Sequence, residues 1–323
     1  ALAWVWEQMG RTLLCSPFFS NVCLGAHSLL VAGTDAQKNE YLPQIVEGAL
    51  TATLAYTGKQ AAHGGGTWGA DAVQATYKKS GNDYVLNGTL RYVIDGHTAD
   101  LLIIAARTEN SQGAKGISLF AVPASTAGIT RKWLPTMDQT RHQAEITLNN
   151  VSIPASTLMG TEAQAWPQLQ KIISLAKIAV SAEQMGGAQE MLDKTVVFTQ
   201  ERIQFGRSIA SFQAIKHKAA DMMLKCEVAR SAVYYAACVA QEAMSADGDT
   251  SIATELDEAA AMAKCYCSDT FFFNAGSAIQ MYGGVGFTWE YDVHLYFKRA
   301  KASELFLGNG AQQRELIAQM LLD

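Results

Sequence analysis

Three short segments carry side chains suited to gripping a dinucleotide. Arg202-Ile203-Gln204-Phe205-Gly206 places a guanidinium, a carboxamide and an aromatic face within four residues, and Gln213 opens the next stretch, Phe212-Gln213-Ala214-Ile215-Lys216-His217. Gln280 precedes Gly283-Gly284-Val285-Gly286. A dinucleotide needs cations and backbone N–H groups for its pyrophosphate, flat apolar surface for its rings, and hydrogen-bond partners for its adenine. Each residue alone has an ordinary explanation as an exposed Arg, a loop Phe or a helix-capping Gly. The glycine cluster follows a helical run and lacks the strand-to-helix setting of a G-x-G-x-x-G fingerprint, so a Rossmann reading is set aside. His63-Gly64-Gly65-Gly66 looks like a lipase oxyanion loop, but no G-x-S-x-G elbow accompanies it, and it reads as a flexible loop.

The elements that must position these groups change character twice. From Ala1 to Gly48 apolar residues recur at spacings of three and four, a helical pattern. Thr34 or Asp35 caps a helix expected to stop before Pro43. Residues 49–160 read as strands separated by turns, with Asn87-Gly88 as a hairpin signal because both tolerate the positive φ of a type I′ turn. Leu101 to Ala106, Ile117 to Val122 and Ala144 to Leu148 are further strands. Residues 161–323 return to helix, with long runs near 163–203, 212–245 and 252–281 and shorter ones near 290–300 and 311–321. Long Ala-rich runs with short connections predict an antiparallel four-helix bundle. The fold class is therefore α+β: a helical N-terminal part (1–48), a central antiparallel β-domain (49–160) and a C-terminal four-helix bundle (161–323).

Composition excludes several classes. The 323 residues are 49% hydrophobic and 17% charged, with 25 Lys+Arg against 30 Asp+Glu and a net charge of −5. No basic stripe is dense enough to follow a phosphate backbone, so nucleic acid is not an expected partner. Cys15, Cys23, Cys226, Cys238, Cys265 and Cys267 show no metal-binding spacing and read as reduced thiols in a cytoplasmic protein. No apolar run approaches the ~20 residues of a membrane span. The chain starts at Ala1, which is compatible with a missing upstream piece.

The three segments, in this order on helical runs, resemble the C-terminal half of the acyl-CoA dehydrogenase family, and the order helical, β, bundle is that of its fold. The resemblance covers nearly the whole chain. It implies that Arg202, Gln204, Phe205, Gln213, Gln280, Gly283 and Gly284 reach across a subunit interface to the pyrophosphate and adenosine of an FAD held by the neighbouring chain. The family acts on acyl-CoA thioesters, removing the α-proton to a carboxylate while a hydride leaves the β-carbon for the flavin. Electron-transfer flavoprotein is the electron acceptor it implies.

The same resemblance marks what is different here. Where most members carry a glutamate base, in Glu304-Leu305-Phe306-Leu307-Gly308-Asn309, this chain has Leu307. The alternative base position falls on Ala176, followed by Lys177. Glu183 lies ~10 Å further along that helix at ~1.5 Å per residue, too far to substitute, and Glu304 is expected to point elsewhere. The family's T-E-P-x-x-G-S-D segment matches Ala55-Tyr56-Thr57-Gly58-Lys59-Gln60-Ala61-Ala62-His63-Gly64, where only Thr57 survives. Its W-I-T segment matches Tyr92, Val93 and Ile94, and Ile94 cannot donate to a flavin. A Thr and a Gln beyond the base match Asn309 and Ala311. Thr57 and Tyr92 are thus the remaining β-domain candidates for cofactor contact, and no catalytic base is assigned.

Loss of a general base costs about 10²–10⁴ in rate. The losses fall on what a chain does for its own flavin, while what it donates to a neighbour is intact. That asymmetry fits the non-catalytic subunit of a bacterial heteromeric (α2β2) acyl-CoA dehydrogenase, paired with a paralogous catalytic subunit. Gly286 to Tyr296 resembles the bacterial branch acting in steroid and related lipid side-chain degradation. Two alternatives stay open: an FAD-binding homotetramer with non-dehydrogenase acyl-CoA chemistry, and a flavin-free structural family member.

Overall fold

The computed structural model describes residues 1–59 and 68–322. In chain order it has helix α1 (Leu2–Arg11), a π-helical segment (Phe19–Ala26), α2 (His27–Ala32) and α3 (Asp35–Val46). Strands β1 (Ala52–Ala55), β2 (Thr76–Ser80), β3 (Asp83–Ile94), β4 (Leu101–Thr108), β5 (Ile117–Pro123), β6 (Ile129–Leu134), β7 (Gln143–Pro154) and β8 (Leu158–Met159) follow. Then come α4 (Trp166–Glu201), the short pair β9 (Ile203–Gln204) and β10 (Arg207–Ser208), α5 (Gln213–Met244), α6 (Thr250–Ala253), α7 (Leu256–Tyr282), α8 (Val293–Leu305) and α9 (Gly310–Leu322). These form two compact units, one of Ser16–Ala176 and one of Ala1–Cys15 with Lys177–Asp323.

The first unit is built on one sheet in the order β6-β7-β3-β2-β4-β5-β8, with β1 also paired to β4. The sheet is mixed rather than purely antiparallel, because β1 and β2 both run parallel to β4. Apolar residues that alternate along β3 and β7 meet those of β4 and β5 in a core that includes Leu86, Leu90, Leu102, Ile104, Phe120, Ile146 and Val151. Asn87-Gly88 is not a hairpin: β3 continues through it, with a bulge that sets Asn149 and Asn150 of β7 opposite Asn87. The Asn87 side chain accepts from the Asn150 N–H at 2.8 Å. Pairing with β7 along the whole of β3 outweighs the local turn preference. The two-residue turn lies instead at Gly81-Asn82, where Ser80 pairs with Asp83 and Gly81 takes φ +62°.

Helix α3 also runs past its expected stop. Thr34 and Gln37 form a reciprocal capping box at its start, and Pro43 sits inside the last turn. The helix ends where Gly48 takes φ +74°. One missing N–H near a helix end is tolerated when the following residues still bond backwards, as Glu47 does to the Pro43 carbonyl at 3.0 Å.

The second unit is a bundle of three long helices, α4, α5 and α7, with the shorter α8 and α9 packed on α7; no fourth long helix exists among the described residues. Its core includes Met191, Met222, Cys226, Phe271, Ala275 and Tyr296. Buried Asn274 ties three helices together, donating to the carbonyls of Ala188 and Met222 at 3.1 and 3.3 Å. Helix α1 crosses α4 at two glycines: a Cβ on Gly10 would stand 1.9 Å from the Glu183 carbonyl oxygen, and one on Gly186 would stand 1.9 Å from that of Glu7. Among the described residues no helix is long and apolar enough to cross a membrane.

Candidate functional site

The end of α4, the start of α5 and the end of α7 meet at one end of the bundle, because the helices alternate in direction. Phe198 of α4 stacks on Tyr282 of α7 at 3.9 Å and 10°. The Tyr282 hydroxyl donates to the Lys194 carbonyl at 3.2 Å. Arg202 follows one turn after Phe198, its N–H bonded to the Phe198 carbonyl at 2.9 Å. Gly283 follows directly after Tyr282.

Between β9 and β10, Gln204 pairs with Arg207 across the two-residue turn Phe205-Gly206. Both turn residues have positive φ, 54° and 76°. Glycine adopts this freely, whereas for phenylalanine it costs roughly 1–2 kcal/mol. The Phe205 ring is 91% exposed, with only an edge-to-face contact to Phe212 at 6.0 Å. The Arg207 guanidinium lies over the Phe212 ring at 4.2 Å and braces the hairpin. Arg202, Gln204, Gln213 and Gln280 are all exposed. Gln213 Nε2 lies 3.4 Å from His217 Nε2, and Gln204 donates only to the neighbouring Ile203 carbonyl.

Gly283 ends α7 at φ 65° and ψ −144°, a region essentially closed to other residues, and a Cβ at Gly283 or Gly284 would meet nothing within 4 Å. The bundle end thus presents a guanidinium, three carboxamides, a bare aromatic ring and open glycine backbone. This donor set suits a pyrophosphate and a heteroaromatic base, the parts of a dinucleotide that need them.

The turn between α8 and α9 is organised differently. Leu307 is 1% exposed and holds φ 61°, and Gly308 holds φ 98°. Lys264 of α7 is fully buried and donates to Ser268 Oγ at 2.8 Å and to the carbonyls of Glu304 and Gly308 at 3.0 Å each. Gln313 Nε2 donates to the Leu307 carbonyl at 2.8 Å. Asn309 and Gln312 form a reciprocal cap at 3.0 Å in both directions, so Asn309 serves the start of α9, and Ala311 is exposed. A strained leucine fixed by this many bonds is overdetermined by its surroundings. Burial, and then the charge of Lys177, push the Lys264 ammonium down to about 7.

Carboxylates near this turn are already engaged. Glu304 pairs with Lys301 at 2.9 Å, and Glu183 pairs with Arg299 in a contact where both side chains are buried. Ala176 is fully buried. The sequence marks Lys264 only as a single lysine in the apolar run Ala259-Ala260-Ala261-Met262-Ala263-Lys264-Cys265.

In the sheet unit, Thr57 is buried and its hydroxyl donates to the Arg91 carbonyl at 2.7 Å, so it helps tie the chain after β1 to β3. Tyr92 sits at φ 57° in a second bulge of β3, between Leu90 and Val93, where Arg91 and Tyr92 together face Glu145. Arg91 pairs with Glu145 at 2.9 Å and lies over the Tyr92 ring at 5.5 Å. The bulge aims a half-exposed aromatic ring out of the pleat, and no local sequence signal announces it. Val93 and Ile94 are buried. His63 to Gly66, and Gln60 to Gly64 of the segment matched to T-E-P-x-x-G-S-D, lie outside the described residues.

Comparison with known proteins identifies relatives of the whole chain. Residues 164–322 match the acyl-CoA dehydrogenase C-terminal domain and residues 62–151 match the acyl-CoA dehydrogenase middle domain. An acyl-CoA dehydrogenase of Bacillus subtilis is 30% identical over 301 residues, 93% of this chain and 76% of the relative. The structure of butyryl-CoA dehydrogenase from Megasphaera elsdenii superposes with a TM-score of 0.88 at 29% identity, over 98% of this chain and 80% of the other. An FAD complex of PigA superposes with a TM-score of 0.88 at 26% identity, over 99% and 81%. With a helical start, a central β-domain and a C-terminal helical domain in common with these structures, the chain belongs to the acyl-CoA dehydrogenase family.

Proposed function

We propose that this chain serves FAD-dependent α,β-desaturation of an acyl-CoA thioester as the non-catalytic subunit of a heteromer. It donates the pyrophosphate and adenosine half of an FAD site to a paralogous subunit that holds the isoalloxazine and supplies the carboxylate base. The observation that supports this reading is a contrast of exposure. Phe205, 91% exposed on a strained turn, stands with Arg202, Gln204, Gln213, Gln280 and the open Gly283-Gly284 backbone on the bundle surface, whereas Leu307 and Ala176, the residues that the resemblance aligns with the family's base positions, are buried. A bulky ring in a disfavoured conformation with almost nothing against it is explained by contacts that another chain provides.

When bound, FAD accepts the hydride; this chain's part is to hold its charged and purine ends. Arg202 neutralises pyrophosphate, the glycine turn offers N–H groups without side-chain obstruction, and the carboxamides and Phe205 frame the adenosine. Electron-transfer flavoprotein is the proposed acceptor, and a bulky or branched acyl group of the kind found in steroid side chains is the proposed substrate.

The test is Arg202→Ala in this chain alone, co-expressed with the wild-type catalytic partner. FAD retention through gel filtration should fall at least about tenfold, the effect of losing a charge-assisted contact of ~1.5–3 kcal/mol. The melting temperature of the isolated variant should match wild type, because Arg202 is exposed. Unchanged flavin content would count against the reading.

A further inference from the structure

The turn between α8 and α9 departs from the way helices usually end. A residue that leaves a helix in the left-handed region is normally glycine or asparagine, because a Cβ is penalised there. Here that residue is Leu307, at φ 61°, and its side chain is 1% exposed. The last turn of a helix also leaves carbonyls that have no partner within the helix. In α8 the Glu304 carbonyl is one of these, and inside the turn the Gly308 carbonyl has the same need. One atom of α7 serves both: Lys264 Nζ donates to the Glu304 and Gly308 carbonyls at 3.0 Å each. Its third bond, 2.8 Å to Ser268 Oγ, anchors it to its own helix one turn on. Gln184 of α4 donates to that same Ser268 Oγ and to Ser303 Oγ of α8, at 3.1 Å each.

We propose that Lys264 is the positioning residue for position 307: by tying the last turn of α8 to Gly308 across the bend, it holds Leu307 left-handed and buried. Leucine has no preference of its own for this backbone, and burial of its side chain does not by itself select a left-handed Cα. The carbonyls of Glu304 and Gly308 do select it, because they can converge on one nitrogen only if the chain reverses between them. The tie does not depend on the charge of the lysine. As an ammonium it donates to all three partners; as a neutral amine it donates to the two carbonyls and accepts from the Ser268 hydroxyl. Position 307 is the one that the resemblance aligns with the family's base, so Lys264 sets where a side chain at that position stands. That meaning rests on the alignment, whereas the tie itself is independent of the flavin half-site. The competing account makes Lys264 an ordinary buried cation, which an apolar residue of similar length would replace without loss.

The experiment is hydrogen exchange on the purified chain, read at the Gly308 and Asn309 amides, which donate to the Leu305 carbonyl and to Gln312 Oε1. Lys264→Met keeps the apolar bulk and removes the donor. It should speed exchange at both amides at least about tenfold, while amides in the middle of α4 keep their rates. Leu307→Gly supplies a residue that adopts the left-handed backbone without help. In that background Lys264→Met should change the same two amides by less than about threefold. A Lys264→Met chain that folds only when Leu307→Gly is also present gives the same answer. Unchanged or slower exchange in Lys264→Met overturns the proposal, since the lysine would then be an ordinary buried cation. So does an equal effect in both backgrounds, which would make the lysine part of the general packing, and so does failure of Lys264→Met to fold with or without Leu307→Gly.

Discussion

Phe205 combines a strained backbone with an exposed ring. Its φ of 54° is a conformation that asparagine accepts and phenylalanine resists, and its ring is almost wholly in solvent. Phe205→Asn should therefore stabilise the isolated chain by ~0.5–1 kcal/mol, read as a higher urea midpoint, while lowering flavin retention by the co-expressed complex. Equal flavin retention would remove Phe205 from the site. The buried lysines make a second prediction. In the folded chain Lys264 lies at about 7 and Lys177 at about 8, against an ordinary 10.5. Between those values and 10.5 the unfolded chain binds protons that the folded chain has released, so stability rises with pH from about 7 toward 10, by at most ~1.4 kcal/mol per pH unit for each lysine. The urea midpoint in carboxylate-free buffer should be higher near pH 9 than near pH 7, and Lys264→Met should reduce the difference. A flat profile contradicts this.

At the scale of elements, the α1–α4 crossing depends on absent side chains. Gly186→Ala would drive a methyl group into the Glu7 carbonyl, and backbone at 1.9 Å cannot yield without α1 shifting. A loss of roughly 1–3 kcal/mol or more is expected, with faster hydrogen exchange in Leu2–Arg11. The Glu183–Arg299 pair links α4 to α8, both side chains nearly sealed at 5% and 2% exposure. Arg299→Met should cost ~3–5 kcal/mol in urea unfolding by removing the guanidinium that neutralises a sealed carboxylate, and Arg299→Met with Glu183→Leu should recover much of it.

The long helices were legible because their periodicity persists over many turns, and β4, β5 and β7 because their β-rich runs are bounded by turn residues. The Asn87-Gly88 bulge, the passage of α3 through Pro43 and the parallel pairing of β1 and β2 with β4 were not, since distant strands or the next helical turn decide each of them. The candidate site divides in the same way. Arg202, Gln204, Gln280 and the glycines are its candidates by type and spacing. The strained Tyr92 bulge and the buried lysines exist only once the chain has folded.

For the whole molecule, the proposed function is a division of labour between two related chains. Family membership rests on matches that run through both the β-domain and the helical domain, and it brings the acyl-CoA dehydrogenase fold with it. Two features stand out in this member: an exposed set of polar and aromatic side chains at one end of the bundle, and a buried leucine on the turn between α8 and α9. The most direct measurement is flavin absorbance per polypeptide, for the chain purified alone and for the chain co-purified with an adjacent paralogue. Little or no flavin is expected in the first and close to one FAD per two chains in the second. A lone chain that purifies yellow with a full complement of FAD and converts an acyl thioester to its enoyl form would contradict it.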